Sequence, residues 1–121
     1  MCRTIRGAKR RDSEKGNTMK ITRSGDCKNS PKNAFVEDFV IDLLAAKSLA
    51  GRLEETAYLP PVPDELREIE ITHAISHGKV GAANGIMTID GSKRPFAAFI
   101  EFTSTKATLV RSVDLYSDVS N

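Results

Sequence analysis

The sequence has no tryptophan, two tyrosines and five phenylalanines, so large side chains are scarce and each aromatic residue weighs heavily in the search for a core. No stretch approaches the roughly 20 consecutive apolar residues that a membrane-spanning helix needs. The basic opening has no apolar run behind it to form a signal peptide, and a cytoplasmic location is the expectation. Cys2 and Cys27 lie in polar surroundings with neither CxxC spacing nor a partner motif downstream, which reads as two free thiols. A phosphate loop, zinc-ligand spacing, a GxSxG elbow and a dinucleotide fingerprint are all missing. No cofactor or metal is therefore expected, and nucleophilic catalysis has no support.

What is present is an ordinary globular composition, 40% hydrophobic and 28% charged over 121 residues, enough for a single domain. Charge is distributed unevenly. Residues 1–30 carry nine Lys or Arg against three acids, out of 18 and 16 in all, which leaves nine basic and thirteen acidic residues in the remainder. A tail with Lys9, Arg10 and Arg11 has the charge to approach phosphates, but it has no aromatic residue on which a base could stack. Nucleic-acid binding is the minor reading. Residues 1–18 are too polar to offset the entropy of ordering, so the expectation is a disordered basic tail followed by one domain from Met19 to Asn121.

The best-marked element begins near Ser30. A serine there caps free helix N–H groups, and Pro31 at the first helical position loses no hydrogen bond. Phe35, Val36, Phe39, Val40, Leu43 and Leu44 then recur at helical spacing, with Glu37, Asp38 and Asp42 assigned to the solvated side. Leu49, Ala50, Leu53 and Ala57 continue the helical period, and Gly51 marks a break. Two helices are expected. The run Pro60, Pro61, Val62, Pro63 forces an extended path and makes a stiff connector.

Four β-rich segments follow, about 68–77, 79–89, 95–103 and 107–118. The intervening His77-Gly78-Lys79, Asp90-Gly91-Ser92 and Ser104-Thr105-Lys106 are short enough for hairpins. A four-stranded antiparallel meander is the simplest topology. In the first strand Ile69, Ile71, His73 and Ile75 alternate with Glu68, Glu70, Thr72 and Ala74, which assigns the former set to the core. In the second, Ala83, Gly85, Met87 and Ile89 oppose Val80, Ala82 and Ile86; in the third, Phe96, Ala98, Ile100 and Phe102 oppose Ala97 and Phe99. Both faces of these strands look covered. The fold class expected is α+β, with N-terminal helices packed on one face of a curved four-stranded antiparallel sheet and a second subunit on the other.

Gly25 to Lys32 leading into Phe35-Val36-Glu37-Asp38-Phe39, and the hairpin from Thr72 to Gly85, resemble small bacterial members of the nuclear transport factor 2-like superfamily, which includes ketosteroid isomerases and SnoaL-like cyclases. The resemblance spans about Met19 to Asp118. It implies a cone-shaped α+β fold around an apolar pocket, commonly dimeric through the sheet. Such proteins carry a third helix before the meander, and here only Tyr58 to Leu66 fills that place. The cone is accordingly expected to be shortened, and no catalytic base of the family transfers to a position of this sequence.

His73 and His77 stand four apart on one strand, about 13 Å at 3.3 Å per residue, too far to share a metal ion. His73 on an apolar face reads first as a core residue and second as a catalytic one, and His77 as a turn residue. Asp38 and Asp42 are one helical turn apart, which suits a shared proton but is equally what a solvated face tolerates. Asp26 precedes the helix, and support of its N-terminus is the expected role. Glu101 and Asp114 lie in strands between apolar residues. Whichever points inward would be buried, would need a partner such as Arg111 or Tyr116, and would be the candidate general base.

Two functions follow as expectations. The first is a domain that binds an apolar small molecule in a pocket lined by Phe35, Phe39, Ile71, Met87 and Tyr116, or that homodimerises through its sheet. The second is an isomerase, dehydratase or cyclase using Asp114, Glu101 or His73 as catalytic residues on an apolar carbonyl substrate, with Tyr58, Tyr116 or His73 as the neutral donor.

Overall fold

The computed structural model describes residues 19–25, 30–105 and 109–117. The expectations attached to the basic tail, to Cys2, Asp26 and Cys27, and to Lys106 lie outside the described residues. In chain order the elements are β1 (Lys20–Thr22), α1 (Pro31–Leu44), β2 (Leu53–Tyr58), β3 (Leu66–His77), β4 (Val80–Ile89), β5 (Ser92–Phe102) and β6 (Val110–Ser117). All six strands join one sheet in the order β1-β3-β4-β5-β6-β2.

The expected fold is corrected in two respects. The sheet is six-stranded and mixed, and among the described residues there is one helix, not two. The four C-terminal segments do form an antiparallel meander, but β1 adds to β3 and β2 adds to β6, each in parallel. The second helix fails for a local and a tertiary reason. At the end of α1 the Ala46 N–H donates to the Leu43 carbonyl at 3.1 Å and the Lys47 N–H to that of Asp42 at 2.9 Å. Ala46 takes φ +59° to do so, a left-handed cap that turns the chain out of the helix. Leu53–Tyr58 then finds a long-range partner: Leu53 aligns with Val110, whose N–H donates to the Arg52 carbonyl at 2.8 Å. Sheet pairing overrides the modest helical preference of Leu-Glu-Glu-Thr-Ala.

The start of α1 matches its sequence marks, with the Asn33 N–H donating to Ser30 Oγ at 3.1 Å and Pro31 in the first turn. The proline connector also has a geometric task. β2 and β3 are separated by β4, β5 and β6, four inter-strand steps of about 4.8 Å or ~19 Å in all; the connecting residues 59–65 reach about 22 Å at full extension of about 3.1 Å each, which leaves room for the bend at Asp64 and Glu65. Leu59 and Val62 pack against the core on the way.

Among the described residues the core lies on one face of the sheet. Val36, Phe39, Val40, Leu43 and Leu44 of α1 are buried against Ile69, Ile71, Ala83, Met87, Ala98, Ile100, Phe102, Val110 and Val113 of the sheet. Phe39 and Phe102 are fully buried, and Phe35 bridges them with ring centroids 6.0 and 5.8 Å away. Each buried large apolar side chain contributes about 1.5–3 kcal/mol. Lys32 ties down the far ends of the hairpins: its Nζ donates to the carbonyls of Gly78 at 3.2 Å and Thr105 at 2.8 Å and stands 4.4 Å from the Phe102 ring centre.

A β-bulge corrects the facing of β3. Ile71 aligns with Gly85, but His73 aligns with Asn84, so Thr72 is an extra residue and the alternation slips by one. Ile69 and Ile71 point into the core as expected, whereas His73 and Ile75 point to the opposite face, where both are exposed. Glu37 moves the other way. Expected on the solvated side of the helix, it is fully buried.

Candidate functional site

The face of the sheet turned away from α1 is built by the residues between the core positions. Register across β3, β4, β5 and β6 places Ile75, Ala82, Phe99 and Asp114 in one row. His73, Asn84, Ala97 and Tyr116 form the row on one side of it, and His77, Val80, Glu101 and Ser112 the row on the other. Directly opposed residues in antiparallel pairs share a face, so all twelve project the same way. Ile75, Val80, Phe99 and Tyr116 are 60%, 52%, 51% and 57% exposed, and Phe99 meets Tyr116 edge to face at 5.9 Å between ring centres. With the partly covered Ala82, Ala97 and Ile86 they make a continuous apolar surface. Single exposed apolar residues are ordinary, but these are contiguous and rimmed by polar groups, which makes this face the candidate site.

The rim is charged. Arg111 lies between Glu54 of β2 at 3.6 Å and Glu101 of β5 at 3.8 Å, and Ser112 Oγ is 3.5 Å from Glu101 Oε1. Asp114 is exposed at the end of the Phe99 row. On β3 the two histidines bracket Ile75. Glu68, farther along, meets Lys20 of β1 at 3.9 Å.

The proposed catalytic residues thus share a face but not a cavity. Asp114 and His73 are exposed and Glu101 is half-buried in an ion pair; none points into the core. His73 and Asp114 occupy opposite edges of the four-stranded face, three inter-strand steps apart. The proposed pocket residues divide between the two faces. Phe39, Ile71 and Met87 are buried in the core with Phe35 packed against them, while Tyr116 stands on the outer face against Phe99. Tyr58 is exposed on the edge strand β2. Asp38 and Asp42 do not act as a pair, since Asp38 binds Arg23 and Asp42 binds Arg52 at 2.9 Å.

Among the described residues Glu37 is the one charged side chain in the core. The Ser24 N–H donates to its Oε2 at 2.8 Å and Ser24 Oγ lies 2.9 Å from Oε1. Arg23, next in the chain, pairs with Asp38. These contacts lash the segment after β1 to the side of α1, a structural duty that accounts for a buried carboxylate.

Sequence reasoning missed Ile75 as a surface residue because the bulge was not read. Gly85 was the available sign: a glycine inside a strand often marks a bulge or a close backbone approach. Alternation alone places Phe99 and Val80 on the second face, and the sheet decides that they are exposed. Searches against protein-family models, curated proteins and solved structures find no match for this chain.

Proposed function

We propose that this protein is an assembly module that forms a homodimer through the outer face of its sheet. One observation carries the reading: the contiguous Ile75, Ala82, Phe99, Tyr116 and Val80 surface, exposed on the face that α1 leaves bare. Its size suits a second sheet. At about 4.8 Å between strands and about 3.3 Å per residue, β3 to β6 over the length of β4 offer a footprint of about 600 Å², near the roughly 800 Å² per partner of a standard interface once side-chain relief is included. Two such faces packed about 10 Å apart would make a sandwich core. The resemblance to the nuclear transport factor 2-like superfamily, retained as part of this proposal, implies association through the same face.

The test is the mass of the full chain in solution. Light scattering at micromolar concentration is expected to give twice 13.2 kDa, and Phe99→Glu, a change at an exposed position, is expected to give the monomer with an unaltered circular dichroism spectrum. A wild-type chain that remains monomeric to several hundred micromolar overturns the reading.

A further inference from the structure

Resting on that homodimer reading, we infer that the two-fold axis runs along the strands, so that β3 of each copy lies over β6 of the other and Asp114 of one copy seats opposite Ile75, between His73 and His77 of the second.

A face-to-face contact between identical sheets has its two-fold axis in the plane of the interface. Two limiting settings exist. With the axis across the strands, every strand lies over its own copy, and the central row places Ile75 on Ile75, Phe99 on Phe99 and Asp114 on Asp114. With the axis along the strands, between β4 and β5, the row Ile75, Ala82, Phe99, Asp114 is laid over its own reverse. Phe99 of each copy then drops onto Ala82 of the other, a large side chain against a small one, twice. Of the two neighbouring rows, one sets the His73 ring against the Tyr116 ring and Asn84 against Ala97, and the other sets His77 against Ser112 and Val80 against Glu101.

Charge selects the same setting. The outer-face groups around the histidines on β3 are Glu70 and Glu68, the latter paired with Lys20 of β1; β4 contributes no ionisable side chain to this face. At the opposite edge stand Asp114 and the Glu101, Arg111 and Glu54 cluster, with a net negative formal charge. An axis across the strands stacks Asp114 on Asp114 of the second copy, which is unfavourable. An axis along the strands instead sets Asp114 over the uncharged Ile75, flanked by the two imidazoles, with Glu70 of that edge two rows away.

Ile75 and Asp114 distinguish the two settings, because within one chain they are three strands apart, about 14 Å, and cannot pair. Sedimentation equilibrium of the full chain is expected to show Ile75→Asp dimerising at least a hundredfold more weakly than wild type, as two carboxylates meet at each end of the row. Adding Asp114→Lys to Ile75→Asp is expected to restore dimerisation to within about tenfold of wild type. Ile75→Lys alone is expected to retain it, because the introduced ammonium meets Asp114 of the second copy. Ile75 is 60% exposed, and circular dichroism checks that each variant is folded. If the double variant stays as weak as Ile75→Asp and Ile75→Lys is equally weak, the axis along the strands is overturned while a dimer broken by Phe99→Glu still stands. A monomeric wild type removes both.

Discussion

Gly85 has no room for a methyl group: a Cβ built there would lie 1.9 Å from the Glu70 carbonyl oxygen and 3.0 Å from the Ile71 Cα. The obstacle is backbone, held by the β3–β4 ladder at the bulge, and it cannot swing aside. Gly85→Ala is expected to destabilise the fold by about 2–3 kcal/mol, at the upper end of overpacking costs, measured as a lower urea midpoint at unchanged slope. Gly81 provides the comparison. A Cβ there would meet the Val36 Cγ2 at 2.6 Å, a side-chain methyl and not backbone as at Gly85, so Gly81→Ala is expected to cost less than Gly85→Ala in the same titration.

At the scale of the element, α1 is joined to the sheet by its apolar side and to the segment after β1 by Glu37. β1 has three residues and a single neighbour, β3, too little pairing to hold an edge strand by itself. Removing the hydroxyl in Ser24→Ala leaves one carboxylate oxygen of a buried Glu37 without that contact. The expected loss is about 1.5–3 kcal/mol, the range for hydrogen bonds to charged groups. Amide hydrogen exchange is the more direct measurement: protection should fall first at Ile21 and Thr22, with β4 and β5 unchanged. Equal loss across the whole sheet would mean that the segment is not a separate cooperative unit.

For the whole molecule, α1 covers one side of a sheet whose other side carries Phe99, Tyr116, Ile75 and Val80. A dimer that buries this face couples folding to concentration by mass action. The melting temperature of the wild type is therefore expected to rise as protein concentration is raised from about one to about a hundred micromolar, and that of Phe99→Glu to stay flat. A flat wild-type profile would show that the outer face adds nothing to stability.

Local chemistry determined the parts whose cause is local. Ser30-Pro31 marked the start of α1, the apolar stripe from Val36 to Leu44 marked its packed side, and Gly78 and Asp90-Gly91 marked the hairpins; Gly78, Asp90 and Gly91 all take positive φ. The four strands of the meander were legible for the same reason, since neighbours in sequence pair with neighbours in space. Tertiary structure alone decided the rest. β1 and β2 are short, and each is a strand only because a distant partner, at Glu68 or at Val110, supplies hydrogen bonds that its own residues do not encode. Glu37 reads as a surface residue until Ser24 is brought to it from 13 positions away. The candidate site turned on one inserted residue: Thr72 at the bulge reverses His73 and Ile75 from core to surface, because a period of two converts any one-residue slip into a change of face.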